Sequence, residues 1–202
     1  MRLSYSPTSP YVRKVMVVLH ETGQLPDVEL VPTHSSPVSS EIPASPNPLG
    51  KVPALERPDG PALYDSRVIT RYLDARADTG LYAQGQRLWD TLTIEATADG
   101  ILDAALLMIY EDRLRPADAQ YAPWVEGQWS KIDRALDTLN GLWISHLLGR
   151  LDMGQIAVGC ALGYLDLRLD ARNWRHGRSD LAGWYDSFAT RGAMTATKPL
   201  EA

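Results

Sequence analysis

The chain has 202 residues, 45% of them hydrophobic or aromatic and 22% charged, with a formal net charge of −5, which is too apolar for an intrinsically disordered segment. Twenty basic residues against 25 acidic ones, with no Lys/Arg run, argue against a nucleic-acid partner, and a single cysteine excludes an intrachain disulfide or a CxxC metal knuckle. The polar start MRLSYSPTSP is unlike a signal peptide, and no apolar run approaches the ~18–20 residues of a membrane span, so the expectation is a soluble, cytoplasmic protein without membrane or metal.

The chain changes character near residue 80. Eleven of the 14 prolines lie at or before Pro61, whereas all six tryptophans lie at or after Trp89. That shift predicts a proline-rich α/β domain over residues 1–77 and an all-helical domain over 86–202. Asp78, Gly80 and Gly85 supply breakers in the linker, 78–85.

In chain order, Arg2–Tyr5 reads as a short strand and Pro10–Thr22 as a helix with Val12, Val15, Met16 and Leu19 on one face. Val28–Val31 is a second strand. The segment Thr33–Gly50 holds Pro37, Pro43, Pro46 and Pro48, and a stretch that long is functional or carries a short irregular helix. Val52–Glu56 and Ala62–Tyr64 flank Pro58-Asp59-Gly60, which predicts a hairpin. A further amphipathic helix begins after Asp65. In the second part, Arg87–Arg113 reads as a long helix. Val125, Trp129, Ile132, Leu136, Leu139 and Trp143 form an apolar stripe on the next one. Ile156–Leu169 is apolar nearly all round, which predicts a central buried helix, with Asp152 and Gln155 as a capping box. Trp184–Phe188 falls on a last short helix. The fold class is α/β followed by all-α.

Three short motifs could carry chemistry. Ser9-Pro10 combines a favoured N-cap with a favoured first helical residue, so unpaired N–H groups at that helix start would favour a thiolate or other anion. Ser9 also lies just beyond the C-terminal end of a strand, where α/β sheets bind ligands. Val52-Pro53 stands at the start of a strand, where proline cannot donate to a ladder; a cis peptide there would turn Val52's backbone outward toward an extended ligand. Asp65-Ser66 opens a helix, with Ser66 as its cap. The pair would suit an amino-acid head group, Asp65 holding the ammonium and Ser66 the carboxylate. Each also reads as an ordinary structural feature when taken singly.

Taken in order they are more specific. Ser-Pro-Tyr-Val-Arg-Lys at 9–14, Asn-Pro-Leu-Gly-Lys-Val-Pro-Ala-Leu at 47–55 and Tyr-Asp-Ser-Arg-Val-Ile-Thr-Arg-Tyr-Leu at 64–73 resemble the glutathione S-transferase superfamily. The run from Ile156 to Asp166 resembles its central buried helix. The Ser-Pro pair is closest to bacterial, serine-type members. The resemblance implies a thioredoxin-like N-terminal domain and a homodimer. It also implies an enzyme that uses glutathione as co-substrate, without a metal, against a small electrophile. Ser9 would donate a hydrogen bond to the glutathione sulfur, and Val52, before a cis Pro53, would pair with the cysteinyl backbone. Asp65 and Ser66 would hold the γ-glutamyl group and Lys51 the glycyl carboxylate. The alternative is a non-catalytic glutathione- or protein-binding module of the same fold. Gln155 departs from the aspartate usual at its position.

Other signals read as structural. Glu95, Asp99 and Asp103, spaced by four, read as a solvated helix face, although the resemblance leaves Asp99 open as a residue near a partner subunit's ligand. Cys160 reads as core, and His20, His34, His146 and His176 have no metal-ligand spacing.

Overall fold

The computed structural model describes residues 1–38 and 45–199, in two compact units: Met1–Leu81 with the chain's end from Thr195, and Tyr82–Met194. In the first unit β1 (Arg2–Tyr5) leads through Ser9 into α1 (Pro10–Glu21), and β2 (Glu29–Pro32) follows. β3 (Ala54–Arg57) and β4 (Gly60–Leu63) form a hairpin, and α2 (Ser66–Ala77) ends the run. The sheet order is β2-β1-β3-β4. β1 and β2 are parallel, with Leu3 opposite Leu30, because α1 crosses between them. β3 runs antiparallel to both β1 and β4, with Ser4 opposite Ala54 and Leu55 opposite Leu63. The predicted strands and hairpin are therefore present, with bounds shifted by a residue or two.

α1 packs on α2, and the unit's core gathers Leu3, Val15, Val17, Leu19, Leu55, Ile69 and Leu73, each fully buried. Asp74 closes the end of α2: its carboxylate accepts from the Leu81 N–H at 2.8 Å and the Thr79 hydroxyl at 2.6 Å. The chain then turns through Asp78, at φ 51°, and Gly80, at φ 69°. No helix forms in the described parts of Thr33–Gly50, and residues 39–44 of that segment lie outside the described residues.

The second unit is helical: α3 (Gln86–Leu114), α4 (Ala122–Gly141), α5 (Ile144–Leu147), α6 (Met153–Arg168), α7 (Ser179–Phe188) and the first residues of α8 (Gly192–Ala196). α6 is buried continuously from Met153 to Tyr164 and on to Leu165, so the apolar run does become the central helix. It packs along α3 with Gly154 against Ile94. Trp143 falls beyond the end of α4, and α8 follows α7, so Trp184–Phe188 is not on the last helix.

Two expectations are corrected here. Glu95 and Asp99 are 2% and 4% exposed, so of the acidic repeat Asp103 alone lies on the solvated surface. Glu95 takes the Tyr82 hydroxyl at 3.0 Å on both oxygens, a partner that helical spacing cannot reveal. The capping box is only half formed. Asp152 does cap α6, accepting from the Gln155 N–H at 3.2 Å. The Gln155 amide turns instead to the carbonyls of His146, Gly149 and Arg150, and the Asp152 carboxylate also meets Thr91 at 3.0 Å and His146 at 2.6 Å.

Candidate functional site

The sheet directions bring the three motifs to one end of the first unit. Ser9 follows the C-terminal end of β1, Val52-Pro53 precedes β3, and Asp65 follows β4. Since β3 runs opposite to β1 and β4, all three connections emerge at the same end of the sheet. This is the end at which α/β sheets bind ligands.

Ser9 caps α1 with extended backbone, and its Oγ accepts from the Val12 N–H at 3.3 Å. Its own N–H donates to the Ser6 carbonyl at 3.2 Å, which fixes the turn leading into the helix. A hydroxyl oxygen that accepts still has its proton to give. Pro10 at the first helical position is buried and contributes no N–H, so the Ser9 hydroxyl caps a helix start that lacks that donor.

Val52-Pro53 is a cis peptide bond, and Pro53 is buried. Among the described residues, Val52's backbone N–H and C=O make no hydrogen bond, which leaves a donor and an acceptor for an extended partner. Lys51 beside it is exposed.

The preceding loop is held by Asn47, which is 2% exposed. Its amide donates to the Lys51 carbonyl at 3.0 Å, its side-chain oxygen accepts from the Leu49 N–H at 3.0 Å, and its carbonyl accepts from the Gly50 N–H at 2.9 Å. Sequence reasoning gave Asn47 no role. Its Asn-Pro context, a favoured turn opening, was the available signal.

At the third motif the peptide bond Tyr64–Asp65 is also cis. Here the expectation of a Ser66 cap is corrected: Asp65 is the N-cap of α2, and Ser66 is its first residue, buried at 2% exposure. Both residue types cap well, but only the preceding position has the extended backbone the role requires. Asp65 Oδ1 accepts from the Arg67 N–H and Oδ2 from the Arg67 guanidinium, each at 3.0 Å. Partial burial pushes the Asp65 carboxyl up. The Arg67 hydrogen bond and charge, the Arg67 N–H and the Lys14 charge together outweigh it and hold the group below the usual carboxylate range. The structure therefore presents an ionised carboxylate beside a helix N-terminus, a pair suited to the two charges of an amino-acid head group. Arg67 is the second residue missed, because a side chain folding back two positions leaves no periodic signature.

Among the described residues no group of three His, Cys, Asp or Glu side chains could hold a metal ion. Cys160 is buried in α6.

Comparison with known proteins agrees with the fold of both units. Residues 3–80 match the family described as glutathione S-transferase, N-terminal domain, and residues 122–187 match glutathione S-transferase, C-terminal domain. An uncharacterized GST-like protein, YibF of Escherichia coli (strain K12), is 33% identical over the full length of both chains. A glutathione transferase family member from Pseudomonas fluorescens Pf-5 was solved with bound S-(propanoic acid)-glutathione. It is 46% identical, with a TM-score of 0.92 over 99% of this chain and 100% of that one. Elongation factor 1-gamma of Prunus avium is 36% identical over 74% of this chain, which spans 36% of that protein. The thioredoxin-like sheet, the helical unit with its buried central helix, and matches that run the whole length place the chain in the glutathione S-transferase superfamily.

Proposed function

We propose that the chain is a serine-type glutathione transferase that binds glutathione at this end of the sheet and activates its thiol for attack on a small electrophile. The observation that carries the reading is the convergence of a capping hydroxyl, an unpaired backbone amide and an ionised carboxylate at one sheet end. Those groups match a thiol, a peptide backbone and a charged γ-glutamyl head in turn. In this reading Ser9 donates to the sulfur, and Val52, preceding Pro53, pairs with the cysteinyl residue. Asp65 takes the ammonium, Ser66 with the α2 N-terminus takes the carboxylate, and Lys51 reaches the glycyl carboxylate.

Lowering a thiol pKa from about 8.5 to about 6.5 raises its thiolate fraction at pH 7 from about 3% to about 75%, for about 2.7 kcal/mol. A hydrogen bond to an anion and a helix N-terminus together supply that order of energy. Ser9 stabilises the anion; it does not remove the proton. Holding thiolate and electrophile together then replaces a bimolecular encounter with a positioned one. Support comes from the Pseudomonas fluorescens relative, whose bound S-(propanoic acid)-glutathione is a thioether, the product type that thiol conjugation yields. The reading carries with it a cytoplasmic homodimer.

A second reading, a glutathione- or protein-binding module without turnover, is favoured by the likeness to elongation factor 1-gamma, since fold does not fix activity. One experiment separates them: calorimetric titration with glutathione, and conjugation of a generic aryl halide, for the protein and for Ser9→Ala. A transferase binds glutathione and loses about 10- to 100-fold in turnover on losing a hydrogen bond to a charged sulfur. Binding without turnover, unchanged by the substitution, establishes the module instead.

A further inference from the structure

The turn Asn47-Pro48-Leu49-Gly50-Lys51 runs directly into Val52-Pro53. Its first residue closes it. The Asn47 carbonyl accepts from the Gly50 N–H at 2.9 Å, and the Asn47 side-chain oxygen accepts from the Leu49 N–H at 3.0 Å, as in an Asx turn. The Asn47 N–H donates to Ser45 Oγ at 3.3 Å. Gly50, at φ 64°, then passes through left-handed backbone, which glycine adopts without steric cost. That reversal brings the Lys51 carbonyl back to the Asn47 amide, which donates to it at 3.0 Å. Asn47 is 2% exposed while Lys51 is exposed, so the donor comes from beneath the turn rather than from solvent.

The Lys51 carbonyl and the Val52 N–H belong to one peptide group. The group is planar and, unlike the Val52–Pro53 bond, trans, so its C=O and N–H point in opposite directions. A bond that fixes the carbonyl therefore also fixes where the N–H points. The same bond draws electron density toward the carbonyl oxygen, which makes the N–H at the far end a stronger donor. Among the described residues that N–H makes no hydrogen bond. A buried side chain thus aims a donor that the fold itself leaves unused.

We propose that Asn47 is a positioning residue: through the Lys51–Val52 peptide it aims and strengthens the Val52 N–H for a carbonyl oxygen of an extended peptide ligand. The choice of ligand rests on the transferase reading, in which the acceptor is the cysteinyl carbonyl of glutathione. In this scheme Asn47 touches neither ligand nor sulfur, so its effect falls on binding and not on the thiolate that Ser9 serves.

Two substitutions in the full chain separate this role from upkeep of the turn. Asn47→Ala removes both side-chain bonds. Asn47→Ser keeps an acceptor for the Leu49 N–H, adds no charge, and is too short to reach the Lys51 carbonyl. Calorimetric titration uses glutathione and S-methylglutathione, which share the peptide and differ at the sulfur. Both variants weaken both ligands by the same factor, about three- to tenfold, the worth of one hydrogen bond. In conjugation of an aryl halide the loss falls on the KM for glutathione rather than on kcat. A merely structural role lowers the thermal midpoint and the fraction of protein that binds, and leaves the affinity of the folded fraction as it was.

A third measurement needs no ligand. The Val52 amide nitrogen resonance reports the polarisation of its peptide group, and it moves upfield in both variants. Unchanged affinity in folded Asn47→Ser, a loss confined to glutathione and absent for S-methylglutathione, or a Val52 resonance that stays in place overturns the role. Failure of the unaltered protein to bind glutathione sinks the transferase reading instead, and the Val52 resonance then decides the coupling from Asn47 by itself.

Discussion

At the residue scale, the candidate site depends on side chains doing two things at once. Asp65 caps α2 and also presents a charge, and the two roles separate in Asp65→Asn, because asparagine caps as well as aspartate but carries no charge. That variant is expected to keep its thermal midpoint within a few degrees while weakening glutathione about tenfold or more, read by calorimetry. Because Arg67 and Lys14 hold the folded carboxyl below its ordinary value of 3.8, the group contributes stability above that value. The contribution is lost as pH falls below 3.8 toward the folded pKa. Denaturant midpoints of the protein and of Asp65→Asn should therefore converge under strongly acidic conditions; a constant gap down to that range would rule the coupling out. Ser9 was legible in the sequence as a cap because capping residues sit at fixed offsets from the helices they open, and the Asp65-Ser66 pair as a helix start, although not which of the two caps it. Asn47 and Arg67 were not: their roles are to hold a loop and a carboxylate in place through bonds that no periodicity encodes.

The elements themselves were mostly legible, since apolar spacing sets which face of a helix or strand is buried. The departures are informative. α6 is tied down at its start by Asp152, whose carboxylate, 3% exposed, serves Gln155, Thr91 and His146 together. Asp152→Ala removes a cap and leaves the Thr91 hydroxyl and the His146 ring short of a partner, an expected loss of about 2–4 kcal/mol in denaturant unfolding. A loss no larger than about 1 kcal/mol would mean the cap acts alone. Farther along α6, Gly159 lets the helix approach its neighbours. A Cβ there would meet Phe188 at 2.6 Å and Met194 at 3.1 Å. Gly159→Ala is therefore expected to destabilise by about 1–3 kcal/mol despite the better helix propensity of alanine. A stabilised variant would show that α7 and α8 yield easily. A sequence reading takes that glycine as a weak helix former; only the neighbouring ring gives it a purpose.

At the scale of the whole molecule, each unit has its own core, one built on a four-stranded sheet and the other on α6. Trp89 on α3 is 63% exposed, an unusual place for so large an apolar ring in a monomer. The homodimer implied by family resemblance is expected to run in light scattering at twice the 22.3 kDa of one chain. Trp89→Glu should shift it toward the monomer; a monomeric mass for the unaltered protein would remove the homodimer from the proposal.

The sequence alone determined the change from α/β to helical architecture, the order of the motifs and the helix that would be buried, because composition and periodicity act locally along the chain. The tertiary structure decided the rest. It showed which residue of the Asp65-Ser66 pair is the cap, that Glu95 and Asp99 are buried, and that Asp152 makes hydrogen bonds with Gln155, Thr91 and His146. These depend on strand direction and helix packing, which join residues far apart in the chain through contacts that carry no trace in its periodicity.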